Sequence, residues 1–255
     1  MSANLLLSPS TLFLALLGGI LPATFWLWFW LKEDRLHPEP RGLLILSFVV
    51  GMVATAVAFP LEKFAADYFT AGSLPLLSLW ALIEEVVKFA GIYLVALRTK
   101  YFDEPIDAVI YLITIALGFA ALENALFLFS PLGMGDALGT ITLSNFRFIG
   151  ATLLHVAASG LVGVILALMF YKHRLRRFIG ALVALSGAVV LHTLFNFSII
   201  ASEGRFLYVV FIGLWILVIG ILLACEKIKR LALRSHVEYP HTGRVITKTY
   251  LKEIS

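Results

Sequence analysis

Long apolar stretches separated by short polar segments dominate the sequence from residue 11 to residue 225. Seven of these stretches are long enough to cross a bilayer as helices, which takes about 20 residues. They are 11–31, 43–60, 76–97, 108–129, 146–171, 179–200 and 206–225. The pattern therefore predicts an all-α, polytopic transmembrane helix bundle with about seven spans.

Residues 61–75 interrupt the apolar pattern between the second and third predicted spans. This segment carries Glu62, Lys63 and Asp67 and is too polar to span, so we predict a short amphipathic piece on the surface. The first apolar run has no basic residue before it and ends in a tryptophan cluster followed by Lys32. These features are typical of an uncleaved first helix with an interfacial anchor.

Composition places the chain in the membrane class. Of its 255 residues, 60% are hydrophobic and 14% charged, and the mean hydropathy is +0.95. A soluble domain carries roughly 25% charged residues. The length leaves no room for a second sizeable soluble domain, and the net charge of +4 does not indicate nucleic-acid binding. A single cysteine, Cys225, excludes an internal disulfide and a cysteine-based metal cluster.

Lysine and arginine fix the predicted orientation, because cytoplasmic loops are enriched in them. With the N-terminus outside, 16 of the 20 fall in the inner loops and the C-terminal tail. Lys63, Arg147 and Arg205 fall outside, and Lys88 lies within a span. This split favours seven helices with the N-terminus out and the C-terminus in the cytoplasm.

Three ionisable residues, Glu84, Glu85 and Lys88, lie inside the third predicted span. A charged group in hydrocarbon is costly, so it seldom persists there without a function. On a helix Lys88 can approach either glutamate, because it is four residues from Glu84 and three from Glu85. A structural ion pair needs only one of them. The second carboxylate is therefore a candidate general acid or base.

Other polar groups share the depth of this stretch. At 1.5 Å per residue, Glu84, Glu123, His155 and His192 lie about 12, 9, 13 and 12 Å from the predicted outer helix ends. A lone buried histidine is more often a hydrogen-bonding residue than a ligand or base. Four groups from four helices at one level are explained more simply by a single site in the outer half of the bilayer.

Three further polar residues accompany this layer. Asn196 lies one turn beyond His192 and can face the same cavity or bond between helices. Asn124 follows Glu123 and is expected to point elsewhere, in a packing role. Lys88 is expected to be an electrostatic partner rather than a nucleophile.

Several stretches together resemble the PrsW family of intramembrane proteases. Residues 84–88 are similar to its Glu-Glu-x-x-Lys motif. The other matching stretches are an acidic Pro-Glu-Pro loop (34–40), a Phe-Asp-Glu-x-x-Asp loop (102–107), a Gly-Phe-Ala-x-x-Glu-Asn helix (118–124), Arg147, His155-x-x-x-Ser159-Gly160 and His192-x-x-x-Asn196. Ala108 stands where the family has glycine, and Val86-Val87 lacks a proline often found in the first motif. Neither departure removes an ionisable group.

The resemblance, which extends distantly to the CAAX prenyl proteases, implies hydrolysis of a peptide bond in a membrane-bound protein. For some members the substrate is an anti-sigma factor, cut on its extracytoplasmic side. The resemblance implies that residues 1–230 form a transmembrane protease domain and that residues 231–255 are a basic cytoplasmic tail. It also implies a multi-pass protein of the cell (inner) membrane. The partners implied are a membrane-bound protein substrate and the lipid bilayer, without nucleic acid.

Two mechanisms fit the same residues, with Glu84, Glu85, Glu123, His155 and His192 as catalytic candidates. In one, Glu84 or Glu85 activates a water while the histidines and Asn196 stabilise the oxyanion, with Lys88, Asn124 and Arg147 in support. In the other, His155, His192 and Glu123 bind zinc, the one candidate cofactor, and a glutamate deprotonates the metal-bound water. His-Glu-x-x-His is absent, which excludes a standard zincin site but not a zinc site.

Three alternatives remain open. A serine mechanism would use Ser159, whose surroundings partly match the rhomboid Gly-x-Ser-Gly, but it leaves the glutamates unexplained. A proton-coupled transporter would also bury Glu, Lys and His, although it predicts polar groups through the whole thickness and often a repeat. A non-catalytic membrane scaffold would retain the fold and tolerate loss of Glu84 and Glu85.

Overall fold

The computed structural model describes residues 8–34, 37–200 and 205–238 of the chain. Within these ranges the chain forms α-helices and no strand, which confirms the all-α class. The helices are α1 (Pro9–Trp30), α2 (Arg41–Ala66), α3 (Leu74–Val95), α4 (Asp107–Gly133), α5 (Ala137–Phe146), α6 (Thr152–Leu168), α7 (Arg174–Ile200) and α8 (Leu207–Glu238). A 3-10 turn, Leu31–Asp34, follows α1, and a π-helical turn, Arg147–Ala151, joins α5 to α6.

Five described helices are long and apolar enough to cross a membrane, so the protein is a multi-pass membrane protein. They are Pro9–Asp34, Arg41–Ala66, Asp107–Gly133, Arg174–Ile199 and Tyr208–Arg230. The two other predicted spans correspond to α3 and α6, which are not among these five helices for identifiable reasons. Helix α3 has 22 residues but carries three charged side chains near its centre, and α6 has 17 residues. Seven spans and the orientation of the termini stay predictions.

Several element boundaries differ from the sequence-based prediction. Helix α2 continues through Pro60 to Ala66, so residues 61–66 of the predicted surface piece at 61–75 are part of a long helix. The segment 146–171 is divided by the π-helical turn, and the short helix α5 before it was not predicted. The boundary at 231 falls inside α8, and residues 239–255 of the predicted tail lie outside the described residues.

Helix α4 is the centre of the bundle. Its side chains are buried almost without interruption from Asp107 to Ala121. It packs against α1, α2, α3 and α6, while α3 packs against α2 and α7, and α6 against α7 and α8. This explains why the segment reads as a continuous apolar run rather than as a one-sided amphipathic helix.

Two glycines allow the backbones of α2 and α4 to touch. A β-carbon at Gly118 would overlap the carbonyl oxygen of Phe48, and one at Gly51 would overlap that of Ile115. Small residues permit such close approach between membrane helices. The Thr55 hydroxyl also donates to the Phe119 carbonyl oxygen at 2.9 Å. The contact fixes the height of α4 relative to α2.

We predict that Gly118→Ala lowers the thermal stability of the purified protein strongly, because a methyl group there must displace backbone. Overpacking a close contact costs about 1–3 kcal/mol or more. Gly220→Ala on α8 is the matched control, because nothing lies within 4 Å of a β-carbon there. Thermal unfolding in detergent measures both variants. Equal melting temperatures would contradict the close α2–α4 packing.

Candidate active site

Helix α3 carries three ionisable side chains into the interior. Ser73 caps this helix and Pro75 follows in its first turn, so the helix begins ten residues before Glu84. Glu84, Glu85 and Lys88 are all buried, with at most 5% of each exposed. Lys88 Nζ lies 2.6 Å from Glu85 Oε1 and 3.6 Å from Glu84 Oε2. Glu85 is therefore the direct ion-pair partner of Lys88, and Glu84 is the second carboxylate.

Two histidines from α6 and α7 complete the cluster. His192 Nδ1 lies 2.9 Å from Glu85 Oε1, and Lys88 Nζ donates to His155 Nδ1 at 2.9 Å. An ammonium group can only donate, so His155 Nδ1 accepts and its proton is assigned to Nε2. That nitrogen lies 3.1 Å from Glu123 Oε2 on α4. The two imidazole rings are 5.3 Å apart between centroids and nearly perpendicular.

Arg147 holds Glu123 from the π-helical turn. Its guanidinium group pairs with Glu123 Oε2, and its Nε donates to Asn124 Oδ1 at 2.6 Å. Asn124 Nδ2 donates to Thr152 Oγ1 at 2.9 Å. Asn124, predicted to pack away from the site, thus supports Arg147. Single π-helical turns occur frequently at functional sites, because the extra residue redirects a side chain.

A cavity of about 550 Å³ lies over this cluster, between α2, α4, α7 and the π-helical turn. Glu84 lines it, whereas Glu85 and Lys88 lie behind. Glu84 Oε2 is buried without a hydrogen-bond partner in the described part of the chain. Its Oε1 lies 3.8 Å from His192 Nε2. The other polar residues lining the cavity are Thr55, Glu62, Lys63, Trp80, Glu123, Arg147, His155, His192 and Asn196.

The residues present fit a zinc ion. Glu84, His155 and His192 each offer one ligand atom, and these atoms lie within 4.8 Å of one another. Two imidazoles and a carboxylate are a common catalytic zinc set. Glu85 holds His192 Nδ1 and leaves Nε2 directed at Glu84, as carboxylates commonly orient histidine ligands. The grouping contains Glu84 where the sequence predicted Glu123, which is paired with Arg147.

The structure separates Ser159 from this cluster. The serine is buried on α6, its hydroxyl has no hydrogen-bond partner among the described residues, and it does not line the cavity. Asn196 does line the cavity, one turn beyond His192. These placements favour the glutamates and histidines over a serine nucleophile.

Sequence-based prediction missed Glu62 as a cavity residue. The polar residues after position 60 led to the prediction that the second span ends there, yet α2 continues and places Glu62 seven residues beyond Thr55 on the same face. The Trp80 indole donates to the Glu62 carbonyl oxygen at 2.9 Å, joining α3 to this last turn of α2. The seven-residue spacing of polar residues was the available signal.

Comparison with known proteins gives one family. Residues 39–223 match the PrsW family intramembrane metalloprotease profile, which is most of the chain. The chain belongs to the PrsW family. It is 28% identical over 208 residues to Protease PrsW of Halalkalibacterium halodurans, covering 78% of this chain and 89% of that protein. Protease PrsW of Geobacillus kaustophilus is 27% identical over 207 residues, with coverage of 78% and 86%.

Protease PrsW of Bacillus subtilis is 28% identical over 174 residues, covering 64% of this chain and 70% of that protein. No solved structure matches the chain. The predicted resemblance is therefore confirmed, and the protein is a membrane protease of the PrsW family.

We predict that Glu85→Gln destabilises the protein far more than Glu84→Gln. Glu85 accepts from Lys88 and contacts His192, and breaking a buried ion pair typically costs about 3–5 kcal/mol. Glu84 Oε2 has no hydrogen bond to lose within the described residues. Thermal unfolding of the two variants in one detergent compares them directly. A larger loss for Glu84→Gln would show that the two carboxylates have the opposite roles.

Proposed function

We propose that this protease hydrolyses a peptide bond of a membrane-bound protein inside the cavity, with Glu84 activating the attacking water. One observation carries the proposal. Glu84 is a buried carboxylate that faces the cavity, and one of its oxygens has no hydrogen-bond donor in the described chain. A water between that oxygen and a substrate carbonyl would satisfy it, and a general base needs that position.

The other side chains support Glu84 from fixed positions. Glu85 and Lys88 neutralise each other behind it, and Glu85 holds the His192 ring with Nε2 toward the cavity. The proposed donors to the oxyanion are the Asn196 amide and His192 Nε2. The His192 ring must be doubly protonated for this, because the Glu85 carboxylate already accepts the proton of Nδ1. In the step itself, Glu84 Oε2 accepts a proton from water and returns it to the leaving amine.

Zinc is the candidate cofactor. Glu84, His155 and His192 would hold the ion, and when bound it supplies a Lewis acid for the carbonyl and the water. For His155 this requires a nitrogen now engaged by Lys88 or by Glu123. Glu123 keeps its position through Arg147 in either arrangement.

The walls of the cavity fit an apolar, extended segment of substrate. Phe59 on α2 and Phe127 on α4 line it and are about half exposed on the surface of the described chain. A helical substrate has its backbone carbonyls occupied, so the segment must be locally unwound to be cut. An anti-sigma factor-like protein cut on its extracytoplasmic side is the substrate we propose. A cut on the extracytoplasmic side requires the topology that we propose with it, seven spans and the N-terminus outside.

The proposal is tested by cleavage of single-span substrates in detergent, together with elemental analysis for zinc. We expect Glu84→Gln and His192→Ala each to reduce cleavage at least about 100-fold, because general-base catalysis alone contributes that much. Ser159→Ala, which does not line the cavity, is the control and should cleave like the wild type.

Zinc analysis of the same samples separates the two mechanisms. Stoichiometric zinc in the wild type that is lost in both His192→Ala and Glu84→Gln assigns Glu84 to the metal. Absence of zinc from an active wild type leaves Glu84 as the base. Undiminished cleavage by Glu84→Gln, or loss of cleavage in Ser159→Ala alone, would refute the proposed function.

A further inference from the structure

A second group of buried carboxylates lies at the other end of α4. Asp34 ends the 3-10 turn, Glu39 precedes α2, and Asp107 is the first residue of α4. Their exposed fractions are 4%, 6% and 0%. Asp107 precedes Glu123 by sixteen residues, about 24 Å along the helix, so the group is remote from the catalytic cavity.

Protein donors hold one oxygen of each carboxylate. The Glu39 amide donates to Asp34 Oδ2 at 3.0 Å, and the Tyr111 hydroxyl donates to Glu39 Oε2. Asp107 Oδ2 accepts from the amides of residues 103 and 104, at 2.9 and 2.7 Å. The three carboxyl groups are therefore fixed in orientation rather than free to turn toward solvent.

The second oxygen of Asp107 has no such donor. Asp107 Oδ1 is buried and without a hydrogen-bond partner in the described chain. The carboxyl groups of Asp107 and Glu39 are in hydrogen-bonding contact with each other. Two ionised carboxylates can only accept, so this contact needs a donor or a cation that the described residues do not supply.

Nearby basic groups are engaged with other acids. Lys229 Nζ lies 2.9 Å from Glu33 Oε2 and 2.5 Å from Glu226 Oε1. His37 Nδ1 lies 3.6 Å from Glu104 Oε1. Among the described residues, no lysine or arginine forms an ion pair with Asp34, Glu39 or Asp107. Within the described residues the group therefore has three buried carboxyl groups and no paired cation, and a bound cation would supply the counter-charge.

We propose that Glu39 and Asp107 bind a hard divalent cation, Mg²⁺ in the first instance, with the Asp34 carboxylate alongside. Oxygen-only donors suit such ions, and Mg²⁺ is commonly held by one or two carboxylates while it keeps several waters. Asp107 has a fully buried oxygen without a hydrogen-bond partner in the described chain, and its carboxyl group contacts that of Glu39. These two observations point to an ion rather than to an acidic surface.

The proposed ion would connect parts of the chain that are far apart in sequence. It would tie the 3-10 turn after α1 and the segment before α2 to the first turn of α4, the helix at the centre of the described bundle. It gives a role to the two acidic loops at 34–40 and 102–107, neither of which lines the catalytic cavity. The site is independent of the hydrolytic mechanism proposed above.

Thermal unfolding of chelator-treated protein, with and without millimolar Mg²⁺, tests the site. We expect Mg²⁺ to raise the melting temperature of the wild type by about 5 °C, as for a ligand well above its Kd. Asp107→Asn and Glu39→Gln should each abolish this response and melt at or above the metal-free wild type, because repulsion is relieved. Asp67→Asn, at an exposed acid directly after α2, is the matched control and should respond fully.

Binding of Mn²⁺, followed by electron paramagnetic resonance in a His192→Ala background, counts the ions at this site alone. One Mn²⁺ per chain that disappears on adding Asp107→Asn or Glu39→Gln supports the proposal. An unchanged melting temperature of the wild type in Mg²⁺, or an equal rise in all variants, overturns it. If the melting temperature rises on acidification but does not respond to any cation, the two carboxyl groups share a proton instead, and the proposed cation site is overturned.

Discussion

The charge of Lys88 determines the arrangement of the catalytic cluster. An ammonium group at the centre of a bundle must be neutralised and hydrogen-bonded, because a bare charge there is strongly unfavourable. Glu85 supplies the negative charge, the His155 ring accepts a second hydrogen bond, and the Phe119 ring lies 4.5 Å beneath the nitrogen. These three contacts use the available positions around Lys88 and leave Glu84 only a long contact of 3.6 Å.

The same arrangement gives neighbouring glutamates on one helix different tasks. Glu85 turns inward, where Lys88 and His192 fix it, so its carboxylate orders the site. Glu84 lines the cavity, and its Oε2, 3.6 Å from Lys88 Nζ, has no hydrogen bond from a described residue. A second ion pair, Glu123 with Arg147, closes the other side of the His155 ring. The close α2–α4 contact at Gly51 and Gly118 fixes the height of α4, which carries Glu123, relative to α2.

Much of this site could be predicted from the sequence, because buried charge in an apolar run is a strong signal. Depth along each helix brought Glu84, Glu123, His155 and His192 to one level, and in the structure their side chains form one connected cluster. The choice of Glu85 as the partner of Lys88 could not be predicted, since helix spacing permits either glutamate. Rotamers set by neighbouring helices decide it.

Other features depended on contacts that spacing does not reveal. The polarity of residues 61–75 concealed the continuation of α2, so Glu62 was assigned to a surface piece. The π-helical turn that directs Arg147 toward Glu123 has no local sequence signature. Because the position of Arg147 could not be predicted, its hydrogen bond to Asn124 was missed, and Asn124 was expected to face away from the site. The acidic loops were visible as motifs, but only the fold showed that Glu39 and Asp107 meet.

The role of Glu84 as the group that activates the attacking water is best tested by a structure with a bound transition-state analogue. The probe is a peptide in which a phosphinate replaces the scissile bond, solved by electron microscopy with the protein in a nanodisc. If Glu84 activates the water and His192 stabilises the oxyanion, one phosphinate oxygen lies within about 3 Å of Glu84 Oε2 and the other faces His192 Nε2. A phosphinate bound beside Ser159, or outside the cavity between α2, α4 and α7, would contradict it.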